Sequence, residues 1–296
     1  MSVRVASLVA SAVCIFSVLA GASKAAEVRP AVDGVNSVVE VTGGSLSGTS
    51  LYGSGGILSI PLTGPYGLEI TGGGGSLDGR GIGLAGANLF WRDPALARFG
   101  LVSNYLYWDS PIGAVNGYRV GGQAEGYFGR FTLGGAAGVT GHTAMDAWFG
   151  ARSFNVPATY DFFEETRLDF YATDNLRLSV GQSYVNSENA LTLGFEWGVP
   201  LKDRTTMAGL FVDASFQNGS SSYLGGIRFY FGQRDKTLIR RNREDDIQSP
   251  VSAAKSQLKA GIKSLCTSPI INTDNLRAGG VPIGVIQGIF REEFCD

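Results

Sequence analysis

Polar and apolar positions alternate along most of the chain between residues 35 and 232. In RLDFYATDNLRLSVGQSY, residues 167–184, Leu168 and Phe170 fall on one face, with Arg167, Asp169 and Tyr171 on the other. Thr173-Asp174-Asn175 supplies turn chemistry, because Asn and Asp side chains bond nearby backbone and tolerate left-handed φ. Beyond it Leu176, Leu178 and Val180 share a face opposite Arg177, Ser179 and Gly181. The segment ALTLGFEWGV then sets Leu191, Leu193, Phe195, Trp197 and Val199 against Thr192, Gly194, Glu196 and Gly198. A period of two belongs to a strand whose two faces meet different surroundings. It predicts twelve strands, at about 35–44, 51–62, 66–74, 81–92, 97–108, 115–127, 130–139, 163–172, 175–185, 189–199, 205–217 and 221–232.

Their connections alternate in character. Short links (TGPY, DPALA, GR, TDN, PLKDR) follow the even-numbered strands, and longer ones, including GSLSGTS, GGSLDGRG and residues 140–162, follow odd ones. That is the layout of an antiparallel outer-membrane β-barrel. An even strand count puts both termini at the short-link end, in the periplasm. Strands of this length, tilted, cross the hydrocarbon layer, and only a closed sheet satisfies every backbone group there. A soluble β-sandwich would alternate too. The aromatic residues favour the barrel, since they gather near strand ends. Phe90, Trp91, Phe99, Phe128, Phe131, Trp197, Phe229 and Phe231 lie at one end, and Tyr105, Tyr107, Trp108, Tyr184, Phe216 and Tyr223 at the other. Two such girdles suit rings that prefer the lipid–water boundary.

Composition agrees. Of 296 residues 43 are glycine, aromatics reach 11% and charged residues only 17%. Residues 1–26 are set aside as a secretory signal peptide: Arg4 precedes the apolar VASLVASAVCIFSVLAG, and ASKAAE offers small residues for cleavage near Ala26. An uncleaved anchor is the rival reading, and Val13 before Cys14 is too bulky for a lipoprotein signal. Without Arg4 and Lys24, 22 basic residues face 26 acidic ones, a poor balance for nucleic-acid binding. No later run is long and apolar enough for a membrane helix. The domain reading is a signal peptide (1–26), an outer-membrane barrel (27–234) and a periplasmic tail (235–296).

LFWRDP, YATDNLRLSVG and LGGIRFYFG…DKTLIRRNREDD resemble uncharacterised porin-like outer-membrane β-barrel proteins of Gram-negative bacteria, over about residues 35–246. The resemblance implies the fold more than a function. Gly226, Phe229 and Phe231 also resemble the terminal-strand signal read by the barrel-assembly machinery, with Leu224 where that signal usually has a polar residue. Outer-membrane lipids and that machinery are the implied partners.

The inward parity carries the candidate function. It holds Glu40, Glu69, Asn88, Arg119, Gln123, Glu125, Arg167, Asp169, Arg177, Glu196, Asp213 and Arg228. Charges of both signs either pair and fill a narrow lumen or line a wet channel and set its selectivity. Inward glycines (Gly121, Gly134, Gly138, Gly181, Gly194, Gly198, Gly226) leave volume, which favours a narrow pore for small polar solutes. The alternative is a structural or adhesive barrel with a blocked lumen. A third reading is a membrane hydrolase centred on His142, the sole histidine, with Thr143 and Asp146 near it in sequence; no serine stands in a nucleophile setting, and no catalytic residue is assigned. One histidine and three cysteines argue against a zinc site, and no cofactor is expected. Gly81, Gly83 and Gly86 of GIGLAG form a literal GxGxxG but lack the helix a dinucleotide site needs. Asn218-Gly219-Ser220 reads as a turn rather than a glycosylation acceptor.

In the tail, Arg240, Arg241 and Arg243 precede Glu244, Asp245 and Asp246. This run reads as a solvated, self-neutralising exit, or as a contact with lipid or a periplasmic partner. Ser249 and Pro250 suit the start of a short helix reaching about Leu265. The tail is then an appendage or a lumen plug. Cys266 and Cys295 are the two cysteines beyond the signal, and an oxidising compartment favours one intramolecular disulfide between them.

Overall fold

A computed structural model describes residues 30–149, 152–185, 188–203, 205–217 and 219–245, together with Leu258. Twelve antiparallel strands close into a barrel. In chain order they are β1 (Asn36–Leu46), β2 (Thr49–Pro61), β3 (Tyr66–Leu77), β4 (Arg80–Asp93), β5 (Ala97–Ser110), β6 (Gly113–Phe128), β7 (Phe131–His142), β10 (Thr159–Thr173), β11 (Leu176–Val185), β12 (Glu188–Pro200), β13 (Thr206–Gln217) and β14 (Ser220–Phe231). Two further strands, β8 (Met145–Phe149) and β9 (Arg152–Val156), form a separate hairpin between β7 and β10. Closure comes from β1 against β14, registered from Ser37↔Phe231 to Leu46↔Ser222. A last element, the helix α1 (Leu238–Glu244), follows the barrel.

The strand count, order and facing match the alternation in the sequence. Outward positions expose Val41, Ile70, Leu101, Val120, Leu168, Leu193 and Val212 around the circumference. Both aromatic girdles are present as cross-strand ring pairs. Trp91–Phe99 (5.8 Å) and Phe131–Phe170 (5.0 Å) lie at the end where β1 begins and β14 finishes, and Phe162–Tyr184 (6.4 Å) and Phe216–Tyr223 (5.7 Å) at the other. We call these the turn end and the loop end.

Four expectations are corrected. Phe90 and Trp108 are not girdle residues: both point inward and are buried, because Trp91 and Tyr107 already occupy the lipid face and neighbouring residues alternate. The connections after β1 and β3 are not long. Ser47-Gly48 and Asp78-Gly79 are two-residue turns with φ of 52° and 86°, and of 51° and 75°. Positive φ at both centres matches the right-handed strand twist, so the strands run straight through the glycine-rich stretches that read as loops. Only residues 143–158 make a long connection at the loop end among the described residues, and it contains the β8–β9 hairpin.

Those glycines have a local cause. A Cβ on Gly53, Gly73 or Gly75 would come within 3 Å of backbone on the paired strand. The same holds at Gly44 and Gly226 between β1 and β14, and at Gly121 and Gly138 between β6 and β7. The paired backbone comes so close there that only a residue without a side chain fits. Gly81, Gly83 and Gly86 sit in β4 as strand residues, leaving no dinucleotide loop.

The fourth correction concerns the charged run after β14. Residues 238–244 are helical, and Arg241 and Asp245 are buried. The helix expected from Pro250 to about Leu265 lies outside the described residues, except for Leu258, which is helical and buried. Residues 1–26, Cys266 and Cys295 also lie outside them.

Candidate functional site: a charge belt between two covered mouths

Every charged or amide residue assigned to the inward parity does face the lumen. Glu69, Arg119, Gln123, Glu125, Asp169, Glu196 and Arg228 are buried, and Arg167, Arg177 and Asp213 partly so. They are organised by neighbours two strands away. Inward residues on adjacent strands stand side by side, so a long side chain reaches past a small one to the strand beyond.

Arg167 on β10 and Glu125 on β6 are both registered opposite Gly134 of β7, and their side chains meet over it at 3.3 Å. Arg119 reaches from β6 to Glu165 on β10 with two bonds, at 2.9 and 2.7 Å. Arg228 on β14 reaches Glu196 on β12 at 3.1 Å, over Gly209 of β13. Directly paired neighbours complete the belt: Arg177 with Glu196 at 2.7 Å and Arg228 with Glu40. Tyr230 donates to Glu196, and Ser179 to Asp169 at 2.6 Å. Glu69 accepts from Asn88 and from Arg98 at 3.2 Å.

The belt therefore follows the wall rather than spanning the lumen. Glu40 and Glu196 have no exposed surface and Arg228 has 2%. Charges this deeply buried persist only when paired. Two guanidinium groups also sit over rings, Arg119 over Phe163 at 3.8 Å and Arg228 over Phe211 at 3.9 Å, which supports the cation where water does not. Sequence reading missed Arg92, Arg98 and Glu165. Arg92 and Arg98 both stack on Phe90, each at 4.5 Å. Parity would have found Arg92 had Phe90 been assigned inward, and Arg98 had Trp108 been.

At the turn end α1 lies across the mouth. Its contacts come from around the ring. Arg243 donates to the Phe131 carbonyl and to Thr132 on β7, and Asn242 to Tyr171 on β10. The Leu238 amide donates to Asn175, and Arg241 to the Thr205 carbonyl. Arg92 on β4 donates to the carbonyl of Glu244 at 2.8 Å. Leu238 is the apolar anchor, packed with Val38, Met207 and Tyr230.

The lock beside α1 is Lys236, one ammonium among three carboxylates: Asp33 at 2.7 Å, Glu244 at 3.2 Å, and Asp245. Burial works against the charge on Lys236, but Asp245 and Asp33 hold its pKa above the ordinary lysine range. Asp245 is pushed up to about 6, by burial first and by Asp33 in addition, against the pull of Lys236 and Arg241. Glu244 is paired with Arg240 as well, at 2.9 Å, while Asp245 has as its second ion pair only the longer one with Arg241, at 3.5 Å.

At the loop end the β8–β9 hairpin turns Met145, Ala147, Phe149 and Val156 inward, onto Trp108, Ile112 and Val115. Leu258 belongs to the same buried cluster. His142 is buried beside it, with Nδ1 donating to the Thr143 carbonyl at 2.9 Å. Asp146 is exposed on the hairpin and accepts from Asn155, so the histidine and the acid of the hydrolase reading face different surroundings. No group of metal-ligating side chains occurs among the described residues.

No family model matches this chain, and no curated protein sequence matches it. Among solved structures it is similar to the KdgM porin at 7% identity, over 67% of this chain and 99% of that one, with a TM-score of 0.43. The NanC porin is similar at 10% identity, over 66% and 100%, with a TM-score of 0.44. The translocator domain of the autotransporter NalP from Neisseria meningitidis is similar at 12%, over 78% and 98%, with a TM-score of 0.43. At this distance they carry no information about passage through this barrel.

Proposed function

We propose that the chain is a porin-like outer-membrane channel, closed at rest, which passes small polar solutes along its mixed-charge wall once α1 leaves the turn-end mouth. The observation that carries this reading is the chemistry of the seat. Apart from Leu238, α1 is held by hydrogen bonds, by the ion pair of Glu244 with Lys236, and by the Arg243 guanidinium near the rings of Tyr127 and Tyr171. Such contacts are exchanged for water at small net cost, so a polar stopper is removable where an apolar one is not. The proposed lining is Glu69, Arg119, Gln123, Glu125, Arg167, Asp169, Arg177, Glu196, Asp213 and Arg228, and no residue does chemistry. The outward apolar band and paired girdles suit an outer membrane. On this reading residues 1–26 direct export and the turn end faces the periplasm.

Single-channel recording in planar bilayers tests it. The full chain should open rarely, and Lys236→Ala with Arg243→Ala should raise the open probability several-fold. Replacing Arg177 with Ala in that background should shift reversal potentials toward cations. A structural barrel without a pore is the second reading, favoured by the burial of Glu40, Glu196 and Arg228. Silence of both proteins would establish it over the first.

A further inference from the structure

On the inner wall of β1 to β5 the charge belt gives way to an apolar recess. Its lining runs from Thr42 on β1 to Leu106 on β5, with Leu51, Ile82 and Leu84 between. Strands four places apart around a closed wall share a cavity only on its concave side, so the recess opens from the lumen. Leu51 and Leu106 belong to the buried cluster under the β8–β9 hairpin, and Ile82 and Leu84 pack against it. The floor is glycine. A Cβ on Gly53 or Gly73 would come within 2.8 Å of backbone on the paired strand, so no side chain can fill the space from below. Thr42 spends its hydroxyl on the Gly225 carbonyl at 3.2 Å, and so offers the cavity no donor. Toward the turn end the recess has a polar rim. Asn104, the inward residue next to Leu106, lies over Gly86, the inward residue next to Leu84, where a Cβ would overlap its Oδ1. Arg119 is registered opposite Asn104 and pairs with Glu165. Glu40, next to Thr42, pairs with Arg228.

We propose that this recess is a binding subsite of the permeation path for small amphipathic solutes, which holds a short branched alkyl group over the glycine floor while a head without net charge rests on the polar rim. This deepens the channel reading and rests on it for passage, though not for binding. Three features do the selecting. The first is size. The cavity is about 30 Å³, where one water needs about 10–15 Å³ and benzene a cavity of about 150 Å³. It takes one small alkyl group and no aromatic ring. The second is the lining. Its apolar walls give water nothing to bond, so an alkyl group gains on entering. Each methylene taken out of water is worth about fourfold in affinity. The third is the rim, whose charges are already paired in opposite signs, Arg119 with Glu165 and Arg228 with Glu40. A head of one sign must displace a partner, at the cost of stranding it. A zwitterion offers each sign its complement.

The test follows the Ile82 methyl resonances of the full chain in phospholipid nanodiscs, where no detergent tail competes. Glycine, alanine and valine are the probes, since they share one zwitterionic head and differ only in alkyl size. They are titrated into the parent chain and into Lys236→Ala with Arg243→Ala, so that entry is not limiting. Affinity should rise about fourfold from glycine to alanine and at least tenfold from glycine to valine. Isobutyrate and isopropylammonium carry the alkyl group of valine on a head of one sign, and should bind at least fivefold more weakly than valine. Leu84→Trp fills the recess and should erase the advantage of valine over glycine. Leu106→Phe is the second filling variant, and a heat-shifted gel mobility confirms that each protein is folded. Equal affinity for glycine and valine, or Ile82 resonances that ignore every probe in both proteins, would make the recess a packing void and overturn the subsite. Isobutyrate or isopropylammonium bound as tightly as valine would overturn the assignment of the head. Graded binding in a protein that never conducts removes the channel and keeps the subsite. Conductance gained on unseating α1, with Ile82 unmoved by valine, does the reverse.

Discussion

Arg167 and Glu125 form an ion pair although their strands do not touch, because both stand opposite Gly134 on the strand between. The missing side chain is what lets them meet. A Cβ at Gly134 would lie 3.6 Å from Glu125 Cγ and 3.8 Å from Arg167 Nη2, which is ordinary contact. Gly134→Ala should therefore be nearly neutral. Gly134→Leu should push the pair apart and cost about 1–3 kcal/mol. Urea unfolding of the detergent-solubilised barrel checks it, and equal stability of the two variants would refute the bridge.

Arg228 should be the most costly belt residue to remove. It serves Glu40 and Glu196, both without exposed surface. Truncation to Ala takes the guanidinium from buried Glu40 and leaves Glu196 to Arg177 and Tyr230, at about 3–5 kcal/mol. Adding Glu40→Gln should recover part of that loss, because a buried charge facing Arg228 goes with it. A double-mutant cycle that proves additive would mean the two residues do not act as a pair.

The α1 seat should tighten in mild acid. Asp245 is held up at about 6 when seated, against its ordinary 3.8 when released into water. A carboxyl whose pKa is raised in the seated state stabilises that state below its released value. That stability is lost as pH rises through the seated value. Lys236 and Arg241, which face it, stay charged across this window, and Asp33 and Glu244 share the site. Hydrogen exchange over residues 238–244, corrected for intrinsic rates, should show roughly tenfold more protection at pH 5 than at pH 7.5. Asp245→Asn should flatten the dependence. Protection that drops on acidification would mean the ion pair with Lys236 dominates instead.

The turn at Asp78-Gly79 separates backbone from packing effects. Gly79 has φ of 75° and open space where a Cβ would stand, whereas Gly81 has the same open space in ordinary strand conformation. Gly79→Ala should cost about 1 kcal/mol and Gly81→Ala almost nothing. Denaturant midpoints decide it; equal shifts would show that Gly79 does not need its left-handed backbone.

Alternation by itself determined the twelve strands, the lipid face and most of the inward-facing residues, because a strand has one degree of freedom, its facing, and lipid enforces it at every second residue. Asp169, Arg177 and Glu196 were therefore legible as inward residues. Which of them pair was not. The Arg167–Glu125 contact depends on the register that sets both opposite Gly134, and register is a property of strands already assembled. Phe90 and Trp108 escape sequence reading for a related reason: aromatic residues at strand ends suit the interface or the lumen equally, and only the neighbours across the sheet choose. The helix at Leu238–Glu244 was the least legible element. Its run of arginines and acids reads as solvated, and becomes a seated helix only because the closed barrel brings Asp33, Arg92, Thr132 and Thr205 around one opening. Local pattern specifies what each segment can be, and the partners that use it come from parts of the chain up to about two hundred residues away.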